Sequence, residues 1–129
     1  MRCLMFVRFQ SAEPSPSGRY PGVFALANGL AHDGLLTADE HAWWRNNNDW
    51  FESAYMDPGP VDQRIFDRNV HPHTACWFKH GAADHLLERL SGYLALLDKY
   101  GVGWVRLLSE APGRIIYEDD VQIVVSLDA

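Results

Sequence analysis

A chain of 129 residues is long enough to bury one substantial core and short for two, so residues 1–129 are read as a single α+β domain. Its 47% hydrophobic content, with five Trp, five Tyr and six Phe, belongs to a folded globular protein and excludes the low-hydrophobicity, high-charge pattern of disorder. The formal net charge of -6 opposes attraction to phosphate backbones and anionic lipid, so neither nucleic acid nor a membrane is expected as a partner.

All basic residues but Lys79 and Lys99 are arginines, which suit bidentate anion binding but more commonly form surface ion pairs. Two cysteines, Cys3 and Cys76, each sit in an apolar strand-like run, unlike a secreted disulfide scaffold. The run Cys3–Val7 is too short for a spanning helix or a signal-peptide core and is interrupted by Arg8,. A cytoplasmic location is therefore expected.

In chain order, Arg2–Phe9 alternates Cys3, Met5, Val7 and Phe9 against Arg2, Leu4, Phe6 and Arg8. That period of two predicts a central or near-central strand with one strongly apolar face. Gln10–Tyr20 is rich in Pro, Ser and Gly without periodicity and reads as an exposed loop,. Helix one is expected to begin at Pro21, to place Val23, Leu26, Ala27, Leu30 and Ala31 on one face, and to stop at Gly34,.

Thr37-Ala38-Asp39-Glu40 matches a capping box, in which the Thr hydroxyl and the Glu carboxylate each satisfy an amide at a helix start,. The helix it opens carries Trp43, Trp44, Trp50, Phe51, Ala54 and Tyr55 on one face with Asn47 near the middle,. Together with helix one it suggests a helical hairpin. Asp57-Pro58-Gly59-Pro60 ends it, and Val61–Ala75 is a connection with one helical turn around Arg64–Arg68,. A second strand follows at Thr74–Lys79. Helix three is expected from about Ala82 to Tyr100, with Leu86, Leu87, Leu90, Tyr93, Leu94 and Leu97 as its apolar stripe, a bend at Gly92 and a stop at Gly101,.

The remainder reads as three strands, Trp104–Ser109, Arg114–Glu118 and Val121–Leu127, separated by Pro112-Gly113 and Asp119-Asp120 turns,. The expected fold is thus α+β, in the order β-α-α-β-α-β-β-β, with one mainly antiparallel sheet, helices on one face and a C-terminal three-stranded meander.

Four groups invite a chemical reading. Glu40, Trp43, Trp44 and Asn47 share an orientation over two turns and resemble an aromatic pocket lining with polar anchors for a small ligand. The competing reading makes Glu40 a cap, the Trp residues core and Asn47 a partner of backbone, and aromatic stripes at helical spacing favour it. Asn46 and Asn48 are placed at the solvent-exposed edges.

His71, His73, Cys76 and His80 bring imidazoles and a thiol close in sequence. The spacing matches no established zinc pattern, and strand parity sets His73 and Cys76 on opposite sides, so no metal is assigned. As a nucleophile, Cys76 would need His73 or His80 as base with Asp67 or Asp84 orienting it. The bland reading is a surface His-Pro-His turn leading into a buried strand whose Cys is a small hydrophobe. Arg64 and Arg68 are best neutralised by Asp62 and Asp67, and Glu118-Asp119-Asp120 reads as turn chemistry before cation chemistry.

No P-loop, Gly-rich dinucleotide turn, Gly-x-Ser-x-Gly elbow or His-Glu-x-x-His occurs, and no cofactor is expected,. The expectation is a small soluble binding or protein-interaction domain without catalysis of its own. Its partner would be a protein or a small polar ligand, held by Glu40, Trp43, Trp44, Asn47, His73 and Cys76. A homodimer through an exposed strand edge or the aromatic helix is also expected. One alternative is a small enzyme acting on a polar substrate between the aromatic helix and the sheet through His73 and Cys76. The other is an acidic inhibitor or immunity-type protein covering a basic target.

Overall fold

The computed structural model describes residues 4–55 and 73–127. Among the described residues, nine elements follow one another: β1 (Phe6–Ser11), α1 (Val23–His32), α2 (Ala38–Ala54), β2 (Thr74–Lys79), α3 (Asp84–Arg89), α4 (Ser91–Lys99), β3 (Trp104–Ser109), β4 (Arg114–Glu118) and β5 (Gln122–Ser126). The expected α+β class and element order are present, with helix three divided into α3 and α4. Arg2 and Cys3, the break at Asp57–Pro60, the Arg64–Arg68 turn with Asp62 and Asp67, and His71 lie outside the described residues. The chain divides into two compact units, one of Met1–Arg8, Tyr55–Asp84 and Leu107–Ala129, the other of Phe9–Ala54 and His85–Arg106. The first is called the sheet unit below and the second the helical unit.

The five strands form one sheet in the order β3-β1-β2-β5-β4. β1 with β2, β2 with β5 and β4 with β5 pair antiparallel. β5 is buried along its whole length and pairs on both sides, with Trp77 opposite Ile123 and Cys76 opposite Val124. Phe6, Ala75, Trp77, Ile123 and Val125 form the core of the sheet unit, with Leu107 against it.

Two sequence expectations for the sheet are corrected. The first strand starts at Phe6, not Arg2, and runs on to Ser11. Leu4 is 58% exposed, whereas both Phe6 and Val7, which point to opposite faces, are buried. This is the pattern of a strand covered on both sides, and β1 does lie inside the sheet, between β3 and β2,. The C-terminal strands do not form a three-stranded meander. β4 and β5 are a hairpin, but β3 lies at the opposite edge, beside β1. The exposed Val105, Arg106 and Leu108 suit an edge position, and alternation along a strand identifies the strand without naming its neighbour.

The β4–β5 turn is held by Asp119. Its Oδ1 accepts the backbone N–H of Val121 (2.9 Å) and of Gln122 (3.0 Å), while Oδ2 accepts the Tyr117 hydroxyl (2.8 Å) and the Gln122 side-chain amide (3.0 Å). Burial opposes its charge, but these four donors outweigh that and hold its pKa below the ordinary carboxylate range,. Glu118 is paired with Lys79 at 2.6 Å.

In the helical unit, α1 packs against α2 and α4. It ends where Gly34 turns to φ +72°, with Gly34 N–H on the Ala31 carbonyl and Leu35 N–H on the Leu30 carbonyl, both at 3.1 Å,. The capping box of α2 is present in both directions. The Thr37 N–H donates to Glu40 Oε1 at 2.9 Å and the Glu40 N–H to Thr37 Oγ1 at 3.2 Å,.

The expected third helix breaks at Leu90, where the amide bonds the Leu87 carbonyl at 3.1 Å, a tighter turn than an α-helix makes,. Gly92 is not the hinge. A Cβ there would stand on Trp43 Cζ2 and 2.9 Å from Cη2, so the missing side chain makes room for an indole,.

Candidate functional site

α2 starts with an acidic, capped turn, and the three- and four-residue steps from Glu40 to Trp43 and Trp44, to Asn47 and Asn48, and to Trp50 and Phe51 collect these residues along one side,. Of these, Trp44, Asn47 and Phe51 are buried, while Trp43, Asn48 and Trp50 are half-buried. The aromatic cluster expected from the sequence is therefore present. It is centred on a ring the helix does not supply. Tyr93 of α4 is fully buried, with ring centroids of Trp43 at 5.0 Å, Phe24 at 5.2 Å and Phe51 at 5.7 Å. These tilted and edge-on geometries are the ones aromatic quadrupoles favour.

A polar chain threads this cluster. The Tyr93 hydroxyl donates to Asn48 Oδ1 at 2.6 Å, Asn48 Nδ2 donates to Asn28 Oδ1 at 3.0 Å, and the Trp44 indole N–H donates to the same Asn28 oxygen at 2.9 Å. Burial pushes the Tyr93 hydroxyl pKa up, so it remains a donor at neutral pH,. Asn48 is thus inside a network and not the solvent-facing edge residue expected from sequence.

Asn47 has its own partners. Its Nδ2 donates to the Trp43 carbonyl at 2.8 Å and its Oδ1 accepts Arg89 Nε at 3.3 Å. The Arg89 guanidinium in turn lies 4.1 Å from the centroid of the Trp50 ring,. The buried amide in the aromatic face, the position most in need of a partner, is therefore satisfied on both sides by the fold,.

Glu40 has a second task besides capping. Its Oε2 meets Lys99 Nζ at 2.5 Å and its Oε1 accepts the Tyr100 hydroxyl. One carboxylate therefore joins the first turn of α2 to the end of α4. The Lys99 and Tyr100 hydrogen bonds, followed by that from Thr37, pull the Glu40 pKa down to about 2,. The same contact raises the pKa of both Lys99 and Tyr100.

Trp44 is bordered by imidazoles. The ring of His41 lies 5.0 Å from it and that of His32 6.1 Å away, with the Arg45 guanidinium 5.2 Å from its centroid. Both histidines are exposed.

Glu40, Trp43, Trp44 and Asn47 are brought together on one side of α2, in the helical unit. His73 and Cys76 belong to the sheet unit, His73 just before β2 and Cys76 within it. The Cys76 side chain is exposed, which corrects the expectation of a buried small hydrophobe. It shares strand parity with Thr74 and Phe78, opposite to the core-facing Ala75 and Trp77,. Arg8 Nη1 donates to the Cys76 carbonyl at 3.0 Å, and burial lowers the pKa of that guanidinium while its electrostatic interaction with Cys76 opposes the shift. Among the described residues, no group of three or more His, Cys, Asp and Glu is arranged to hold a metal, and no helix is long and apolar enough to cross a membrane.

Sequence reasoning passed over Asn28, Asn48, Arg89 and the hydroxyl of Tyr93. The one available signal was Tyr93 within a leucine stripe, since a buried phenol needs an acceptor. Its acceptor lies 45 positions away and leaves no local trace. Comparison with family models, curated proteins and solved structures returned no match.

Proposed function

We propose that this protein is a small binding or protein-interaction module of the cytoplasm, without catalysis of its own, whose partner is a protein or a small polar ligand. The observation that carries this reading is the apolar surface on the two outer strands of the sheet. β3 exposes Val105 and Leu108, and β4 exposes Ile115. Outer strands that present unpaired backbone groups beside large apolar side chains are sites where another chain adds.

The helical unit supports the same reading from the other side. The polar groups of Glu40, Asn28, Asn47 and Asn48 are engaged with one another's neighbours in the unit, as in a framework that orders a surface. A net charge of -6 directs the choice of partner away from nucleic acid and anionic membranes. The test is isothermal titration calorimetry against partners recovered with the purified chain, alongside turnover assays. A stoichiometric complex with no turnover is expected, and a saturable turnover abolished by Cys76→Ser overturns the proposal.

A further inference from the structure

The two edges of the sheet differ. β4 is bulged between Ile115 and Tyr117, and its Glu118 already pairs with Lys79. A bulge twists an edge away from further pairing. β3 lies at the other end of the sheet, with β1 as its one neighbour among the described residues.

Along β3, Arg106 and Leu108 share one side of the strand, and Glu110 follows one position past its end,. All three are exposed, Leu108 to 46%, and neither Arg106 nor Glu110 is ion-paired among the described residues. This pattern is self-complementary. Two such strands, antiparallel about a twofold axis at Leu108, place Leu108 against Leu108 and Arg106 of each copy opposite Glu110 of the other.

We propose that the outer edge of β3 recognises a second copy of this chain, joining two sheets through a Leu108 contact flanked by two Arg106–Glu110 pairs. This names the partner within the interaction reading above and rests on it. At its two charged positions the ladder sets positive against negative charge and at its centre Leu against Leu, which a partner chosen at random would not do,. Six strand residues a side cover less than the roughly 800 Å² per partner of a standard interface, so the dimer is expected to be reversible and concentration-dependent.

Sedimentation velocity on the full chain tests this, with circular dichroism confirming that each exposed-site variant is folded. The wild type is expected to pass reversibly from monomer to dimer. Arg106→Glu alone and Glu110→Arg alone each set like charges opposite one another and are expected to weaken dimerisation about tenfold or more. An equimolar mixture of the two single variants restores opposite charges at both positions and is expected to dimerise, as is the double variant.

A dimer indifferent to both charge reversals, or a single-variant mixture that stays monomeric, overturns the proposal. So does a wild type that remains monomeric at roughly millimolar concentration. If that monomer still forms a stoichiometric complex with another protein or ligand, the interaction reading survives. A dimer that obeys the charge pattern but shows turnover lost in Cys76→Ser reverses that outcome.

Discussion

The indole of Trp43 occupies the space in which a β-carbon on residue 92 would stand. Gly92→Ala should gain about 1 kcal/mol of helix propensity, but it forces apart an indole already packed on Tyr93 at 5.0 Å. Overpacking of this kind typically costs about 1–3 kcal/mol. A net loss of stability is expected in urea unfolding. Trp43→Leu combined with Gly92→Ala should lose less than the two single changes together, and additive losses would show that the ring can move aside freely.

Asn47→Ala removes an amide bonded to the Trp43 carbonyl and to Arg89. A loss of roughly 1–3 kcal/mol is expected from denaturant midpoints. If Asn47 instead serves mainly to hold a ligand, the variant unfolds like the wild type and loses binding.

Asn48→Ala leaves the Tyr93 hydroxyl without its acceptor and is expected to cost about 1–3 kcal/mol. In Asn48→Ala, adding Tyr93→Phe removes the stranded donor as well. The second change should therefore cost less in that background than in the wild type, a coupling that a double-mutant cycle reads directly.

Acid should weaken the Glu40 clasp in a defined window. A carboxylate with its folded pKa lowered to about 2 contributes stability that is complete above its ordinary value near 4.5. That contribution is lost as pH falls towards 2. Lys99 and Tyr100 are raised, so the same contact weakens again in alkali as they deprotonate. Urea midpoints between pH 2 and 5 should fall more steeply for the wild type than for Glu40→Gln; parallel curves would place the acid sensitivity elsewhere.

Ser11 offers the opposite case. Its hydroxyl is buried with no hydrogen-bond partner among the described residues, a condition that carries a desolvation cost. Ser11→Ala is expected to leave stability unchanged or raise it by up to about 1 kcal/mol in thermal or urea unfolding. A clear loss would reveal a hydrogen bond in solution.

The sequence made local features legible and distant ones opaque. The capping box at Thr37 and Glu40, the stop at Gly34 and the strand Thr74–Lys79 were readable because their causes lie within a few residues. The aromatic side of α2 was readable from its 3.6-residue period. The place of β3 in the sheet was not, because its neighbour is β1, almost a hundred residues earlier,. A bend in the third helix was readable from Gly92, but its place was not: the break falls at Leu90, two residues earlier, because Gly92 faces the Trp43 indole. Around the candidate site, Glu40 and Asn47 stood out as polar side chains among the aromatic residues of α2, yet their partners Lys99, Tyr100 and Arg89 could be supplied only by the fold.

β5 pairs with β2 on one side and β4 on the other, and is buried along its entire length. Of the nine elements among the described residues, it is also the last to leave the ribosome. Until Gln122–Ser126 emerges, β2 and β4 lack the strand that joins them in the finished sheet, so the sheet unit closes only after synthesis has passed β5,. A chain arrested before Gln122 should accordingly be far more open to proteases than one arrested well beyond Ser126.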